Sequence, residues 1–266
     1  MKIFQVDAFT SEPFKGNPAG VCLLDHAKPD YWMQSLAAEM NLSETAFILR
    51  EKDIFNLRWF TPKTEVALCG HATLASSHIL WEEKILNPNE EVKFITKSGI
   101  LKANQGVDSW IELDFPARFI EPAENQEILN EAFSISPSYV GRFSTPNGNL
   151  YLIEVQDEEI VKNLNPNFEL LKKSDAKAII ITSISNSHNY DFVSRFFAHG
   201  VGINEDPVTG SAHCSLAPYW GRKLGKNELI GFQVSARTGV IGCIWSGDRV
   251  VLKGKAVTIF RGELLI

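Results

Sequence analysis

One pattern occurs twice in this chain, and it limits the fold more than any other feature. Arg58-Trp59-Phe60-Thr61-Pro62 stands ahead of Cys69-Gly70-His71-Ala72-Thr73, and Arg195-Phe196-Phe197-Ala198-His199 stands ahead of Thr209-Gly210-Ser211-Ala212-His213. Each copy reads Arg-aromatic-Phe, then a polar loop, then Gly-x-Ala opening a helical stretch, and the second loop is three residues longer. A self-match of this length indicates two structural units built alike. A helix N-terminus presents unpaired N–H groups and the positive end of a dipole, which suits a carboxylate or another anion. Glycine at each helix start lets backbone come close to a ligand.

The segments around the echo are mostly strands. Ile3–Phe9, Val21–Leu24, Thr45–Leu49, Phe55–Phe60, Val92–Thr96, Gly99–Ala103 and Ser109–Phe115 carry the β-rich patterns of the first half. Thr10 to Gly20 is turn chemistry, punctuated by Gly and Pro. Asp30 predicts the N-cap of a helix running to about Met40, with Asn41 able to end it in the left-handed conformation. A second helix is predicted from His71 to about Lys84. In the second half, helices are predicted over Asn125–Phe133, Glu158–Asn163 and Phe168–Ser174. Another follows Gly210, and Pro218 should kink or interrupt it. Strands are predicted over Ser138–Phe143, Leu150–Val155, Ala178–Thr182, Tyr190–Phe197 and four segments from Gly231 to Arg261. Many strands, few helices and no βαβ series predict an antiparallel α+β fold. Pro116 and Pro122 flank the polar stretch Arg118–Glu127. We place the boundary there: an N-terminal lobe over 1–116 and a C-terminal lobe over 117–266, the last strand (about 256–266) being able to pack back onto the first lobe.

Length and charge narrow the function. A chain of 266 residues is long enough for two domains and a core without disulfide staples. Its formal net charge of -6 disfavours nucleic acid as a partner, since that needs a basic face to displace counterions. No apolar run reaches the length of a membrane span, and the N-terminal residues do not read as a signal peptide. Cys22, Cys69, Cys214 and Cys243 are widely spread, which fits reduced thiols in a cytoplasmic protein.

Several polar residues admit two readings each. Glu44, with Leu42, Ala46 and Phe47 around it, is either a desolvated general acid/base or a solvated glutamate at a strand start. Asp206 precedes Pro207 and is either a second carboxylate of the site or the start of a turn. His71 at a helix start is a neutral proton partner or a packing histidine. Ser211 is a substrate donor or a helix-terminal serine, and Asn17 a polar wall or a turn residue. A metal centre is not indicated, because His71 and His78 lie two turns apart with no carboxylate at ligand spacing. No G-x-S-x-G elbow supports a serine nucleophile. Arg58 and Arg195 read as structural, and the cysteines as buried and inert. Cys69 pairs in the echo with Thr209, so Cys69 and Cys214 are not a matched thiol pair.

Four segments together resemble the PhzF-like family of phenazine biosynthesis: Phe14-Lys-Gly-Asn-Pro-Ala-Gly-Val21, Asn41-Leu-Ser-Glu-Thr-Ala-Phe47, Arg58-Trp-Phe-Thr-Pro62 with Leu68-Cys-Gly-His-Ala-Thr-Leu74, and Arg195-Phe-Phe-Ala198 with Glu205-Asp-Pro-Val-Thr-Gly-Ser-Ala212. They follow the family's order across nearly the whole chain. The resemblance implies the diaminopimelate-epimerase-like fold: two pseudo-symmetric lobes, each a sheet or barrel curled around a central helix, with a small carboxylate docking between them. It implies a cofactor-free isomerase, a homodimer, and trans-2,3-dihydro-3-hydroxyanthranilate as the family's best-known substrate. The family's catalytic glutamate falls on Glu44, its histidine on His71, and its aspartate and serine on Asp206 and Ser211. Asn17, Gly70 and Gly210 complete the expected substrate contacts. His199 and the segment Ser235-Ala-Arg-Thr-Gly239 depart from the family's usual residues. The alternatives are a thiol-dependent amino-acid epimerase or racemase, and a non-catalytic carboxylate-binding protein.

Overall fold

The computed structural model describes residues 1–145 and 148–266. In chain order its elements are β1 (Lys2–Ala8), β2 (Asn17–Leu24), α1 (Asp30–Met40), β3 (Glu44–Glu51), β4 (Ile54–Phe60), β5 (Glu65–Val66), α2 (Gly70–Glu82), β6 (Val92–Thr96), β7 (Gly99–Gln105), β8 (Ile111–Pro116), β9 (Glu121–Pro122), α3 (Glu127–Phe133), β10 (Tyr139–Thr145), β11 (Gly148–Glu154), α4 (Glu158–Lys162), α5 (Phe168–Leu171), β12 (Ala176–Ile184), β13 (Phe192–Ala198), β14 (Ile203–Asp206), α6 (Gly210–Leu224), β15 (Glu228–Gln233), β16 (Gly239–Ser246), β17 (Arg249–Gly254) and β18 (Ala256–Glu263). They form two compact units, Met1–Asp114 with Val251–Ile266, and Phe115–Val250. No helix among the described residues is long and apolar enough to cross a membrane.

The echo extends well beyond its motif. In the first unit, β1 pairs antiparallel with β2, β2 parallel with β3, β3 antiparallel with β4, β4 antiparallel with β5 and parallel with β6, and β6 antiparallel with β7. In the second unit the same series runs through β10, β11, β12, β13, β14, β15 and β16, with the same sense at every step. The flanking strand differs in origin: β18 from the chain's end pairs with β1, whereas β9 from just upstream pairs with β10. Two α+β units with one topology account for the repeat. The four parallel pairs were not foreseen. Each spans a helical crossover, which parallel pairing requires, and a period-two pattern carries no sign of strand direction.

One helix in each unit is buried around most of its circumference. In α2 the buried residues run from His71 to Ser77 and from Ile79 to Trp81, and α2 packs against β1, β2, β3 and β18. Ala, Ser and Thr keep this helix thin. Its buried hydroxyls bond back one turn, Thr73 to the Cys69 carbonyl, Ser76 to Ala72 and Ser77 to Thr73, so no hydroxyl among these three is left without an acceptor. Helix α6 is buried from Ala212 to Pro218 and at Gly210, Trp220 and Gly221. A helix apolar on all sides belongs inside a core.

Three local expectations are corrected. Helix α6 continues through Pro218. Proline removes the N–H that would bond the carbonyl one turn back, and that carbonyl, Cys214 O, accepts the Arg118 backbone N–H at 2.9 Å instead. Asp30 does not cap α1, whose N-cap is Pro29; its carboxylate accepts Arg58 Nη1 at 2.8 Å. Asn17 lies in no turn: it is the first residue of β2, paired with Ala8 and fully buried. Pro18 is tolerated there because β3 joins β2 only from Ala19 onward. Asn41 does end α1 in the left-handed region, at φ 51° and ψ 33°.

Gly16, just before Asn17, has φ +69°, and a Cβ there would stand 2.2 Å from the Ala8 carbonyl oxygen. Replacing Gly16 by Ala is expected to destabilise the first unit by about 1–3 kcal/mol, read as a lower urea midpoint with an unchanged slope.

Candidate active site

Glu44 opens β3 and His71 is the second residue of α2. The β2–β3 register places Ala19 opposite Glu44, so Asn17 lies two residues upstream on the neighbouring strand. Folding brings Glu44 Oε2 to 3.3 Å from His71 Nε2, with the two side chains 13% and 7% exposed. The chain spacing that showed no carboxylate near His71 could not reveal this, because the partner comes from another element. On the other side of the ring, Cys69 Sγ is 3.5 Å from His71 Nδ1. Donor atoms of Glu44, Cys69 and His71 all lie within 4.8 Å of one another.

Burial lowers the His71 imidazole from its ordinary value near 6.5 to about 3. The ring is neutral at any physiological pH. It can hydrogen-bond but carries no charge that would hold a proton off a neighbouring carboxylate. The amides of Gly70, His71 and Ala72 precede the first backbone bond of the helix, Thr73 N–H to Cys69 O at 3.2 Å, so they have no partner within α2.

The second unit builds its matching helix start differently. Thr209 is the N-cap of α6, Gly210 its first residue and Ser211, half-buried, its second. The Asp206 carboxylate accepts the Thr209 hydroxyl across the Asp-Pro turn. Gln233 on β15 clamps the turn: its Oε1 accepts Thr209 N–H at 2.9 Å and its Nε2 donates to Asp206 O at 2.7 Å. His213 Nδ1–H donates to Thr209 O at 2.8 Å, where Thr73 serves the Cys69 carbonyl in the first unit. Sequence reasoning gave no role to Gln233 or His213. The echo held a signal for His213, which matches Thr73 by position.

Arg58 and Arg195 hold the two loops. Arg58 makes a fork to Glu65 at 2.8 and 2.7 Å, and Arg195 the same fork to Glu205 at 2.7 and 2.8 Å. Each guanidinium also lies 5.1 Å from a phenylalanine ring, Phe60 and Phe197 respectively. These arginines position backbone, and Glu205 is the residue next to Asp206.

All four cysteines are buried. Cys69 forms one side of the His71 cluster. Cys214 occupies the position that matches Leu74, and its Sγ donates to Gly210 O at 3.7 Å. The echo therefore provides no opposed pair of thiols.

His213 is fully buried and lowered to about 4, because burial outweighs its bond to Thr209. A histidine whose folded value lies below its unfolded one binds fewer protons when folded. Stability is complete above about pH 6.5 and falls as pH drops toward 4, by on the order of 3 kcal/mol for this group. Urea midpoints measured across that window should fall with acid, and His213→Gln should flatten the fall.

The sequence matches the family described as Phenazine biosynthesis-like protein over residues 6–262. A protein called an uncharacterized isomerase from Halalkalibacterium halodurans is 53% identical over 99% of this chain and 98% of its own length. A crystal structure of a putative phenazine biosynthesis PhzC/PhzF protein from Clostridium difficile superposes with a TM-score of 0.91 at 39% identity, covering 100% of both chains. A probable proline racemase from Agrobacterium radiobacter has the same fold at 12% identity, with a TM-score of 0.66 over 100% of this chain and 93% of that one. The chain belongs to the PhzF family of phenazine biosynthesis-like proteins and has the two-lobed fold shared with the epimerases and racemases.

Proposed function

We propose that this protein is a cofactor-independent isomerase that moves a proton between carbons of a small carboxylate-bearing substrate, with Glu44 as the acid/base. The observation that carries this reading is the shielded Glu44 carboxylate 3.3 Å from a histidine that burial keeps neutral. A base needs a carboxylate whose proton affinity is not suppressed by an adjacent cation. His71 meets that need, and its ring can pass or steady the proton that Glu44 carries. Within the first unit, the amide at Gly70 is assigned to the substrate's anion and Asn17 to the wall of the Glu44 site; within the second, Asp206, Gly210 and Ser211 are assigned to polar groups of a ligand. The names of relatives such as the H. halodurans isomerase favour this class of reaction.

The test is a solvent-deuterium exchange screen over small cyclic and amino carboxylic acids, the phenazine precursor included, followed by mass spectrometry. Enzyme-dependent incorporation at carbon supports the reading. Acids that bind without exchange would make the protein a binding module. Light scattering tests the homodimer that belongs to the same proposal.

A further inference from the structure

We propose that the second unit carries a separate binding site for a small monocarboxylate built on one six-membered ring, held in a cavity beside the C-terminal half of α6. The cavity has a volume of about 260 Å³ and is walled by Phe119, Ile120, Tyr139, Pro218 and Tyr219, with Arg222 among its lining residues. Glu44, His71, Asp206 and Ser211 are not part of it. Arg222 lies eleven residues beyond Ser211 on α6, about 16 Å along the helix axis. Sites for drug-sized ligands measure about 300–1,000 Å³, so this one takes a single ring and not a fused system.

Charge selects an anion. Lys223 also lines the cavity, but its Nζ pairs with Glu154, and the same carboxylate accepts the Tyr219 hydroxyl. That group is neutral as a whole. Arg222 differs: among the described residues its side chain has no carboxylate and no hydrogen-bond acceptor. Its guanidinium packs on rings, 5.0 Å from the Phe119 centroid and 5.6 Å from that of Trp245. Ring contacts engage the charge and leave the in-plane N–H fork free. A carboxylate fits that fork with two parallel hydrogen bonds. One uncompensated cation calls for one negative charge.

The walls supply the rest. Tyr139 and Tyr219 pack with ring centroids 5.1 Å apart. Gly141 on β10 makes room for this side of the cavity: a Cβ there would stand 2.3 Å from Ile120 Cγ2 and 2.6 Å from the Tyr139 hydroxyl. That hydroxyl has no hydrogen-bond partner among the described residues, so it is a second donor for the ligand. Burial raises the Tyr139 phenol, and the nearby Arg222 charge opposes the rise. The apolar sides of Phe119, Ile120 and Pro218 disfavour a hydrated inorganic anion and suit the face of a ring. The site does not rest on Glu44 as the base.

The probe is benzoate, titrated into the full chain and followed by amide NMR, with neutral benzamide as a control of the same shape. Benzoate should shift the amides of Ile120, Tyr139, Tyr219 and Arg222 saturably, at about millimolar concentration or below. Benzamide should bind at least about tenfold more weakly, a comparison that needs no variant to fold. Arg222→Gln should weaken benzoate by at least about tenfold, with the urea midpoint checking that the variant is folded. Absence of saturable shifts, equal binding of benzamide, or indifference to Arg222→Gln overturns the site. Shifts confined to the amides of Gly70, His71, Gly210 and Ser211 would place benzoate at the candidate catalytic residues instead and overturn it as well.

Discussion

Glu44→Gln is expected to lower solvent-deuterium incorporation by about a hundred- to ten-thousand-fold, the contribution of a positioned acid/base. The substitution preserves shape and hydrogen-bonding capacity while removing the titratable oxygen pair. Glu44 stands at the first position of β3, and its backbone register with Ala19 does not depend on its charge. The urea midpoint should therefore stay within about 0.5 kcal/mol of the parent. The two readings separate the roles: lost exchange with intact folding identifies the base, and retained exchange would move the base elsewhere. His71→Gln gives a graded comparison, since it keeps a hydrogen-bonding group beside Glu44 but cannot relay a proton through two ring nitrogens. It should reduce exchange by less than Glu44→Gln.

Arg195→Ala carries the largest expected cost to stability, about 3–5 kcal/mol. The guanidinium is 11% exposed and forks onto Glu205, which is 23% exposed. Its Nη1 also donates to Leu164 O at 2.9 Å. Removal leaves a shielded carboxylate without its cation and a carbonyl without its donor. The equivalent change in the first unit, Arg58→Ala, should cost less. Arg58 is more exposed at 24%, and Lys97 remains on Glu65 after the change. Urea denaturation of both variants measures the difference, and equal costs would contradict it. Because Glu205 precedes Asp206 on β14, Arg195→Ala should also loosen the Asp206–Thr209 turn, visible as faster amide exchange at Thr209.

The sequence was most informative where structure depends on near neighbours. Alternation located β1, β4, β6 and β17, and Asn41 announced the end of α1, because strand pattern and left-handed caps are properties of a few adjacent residues. The Arg-aromatic-Phe and Gly-x-Ala echo announced two like units, which the matched pairings of β1–β7 and β10–β16 bear out. The site was legible as residues but not as contacts. Glu44 and His71 were singled out from their motifs. Cys69, two residues from His71 in the same motif, was weighed as half of a thiol pair and read as buried and inert.

What failed was whatever depended on a distant group. Pro218 looked like a break because the helix that holds it has no means of its own to satisfy Cys214 O; the donor is Arg118, far away along the chain. Asp30 looked like a cap, yet a guanidinium on β4 takes its carboxylate. Asn17 looked like turn, since nothing local shows that Ala8 will pair with it. The amino-acid sequence alone determined the repeat, the element pattern and the residue types of the chemistry, because each is written in short-range spacing. Only the tertiary structure decided strand direction, the continuity of α6 and the meeting of Glu44, Cys69 and His71. Each of these rests on hydrogen bonds and contacts between elements that the chain brings together only by folding.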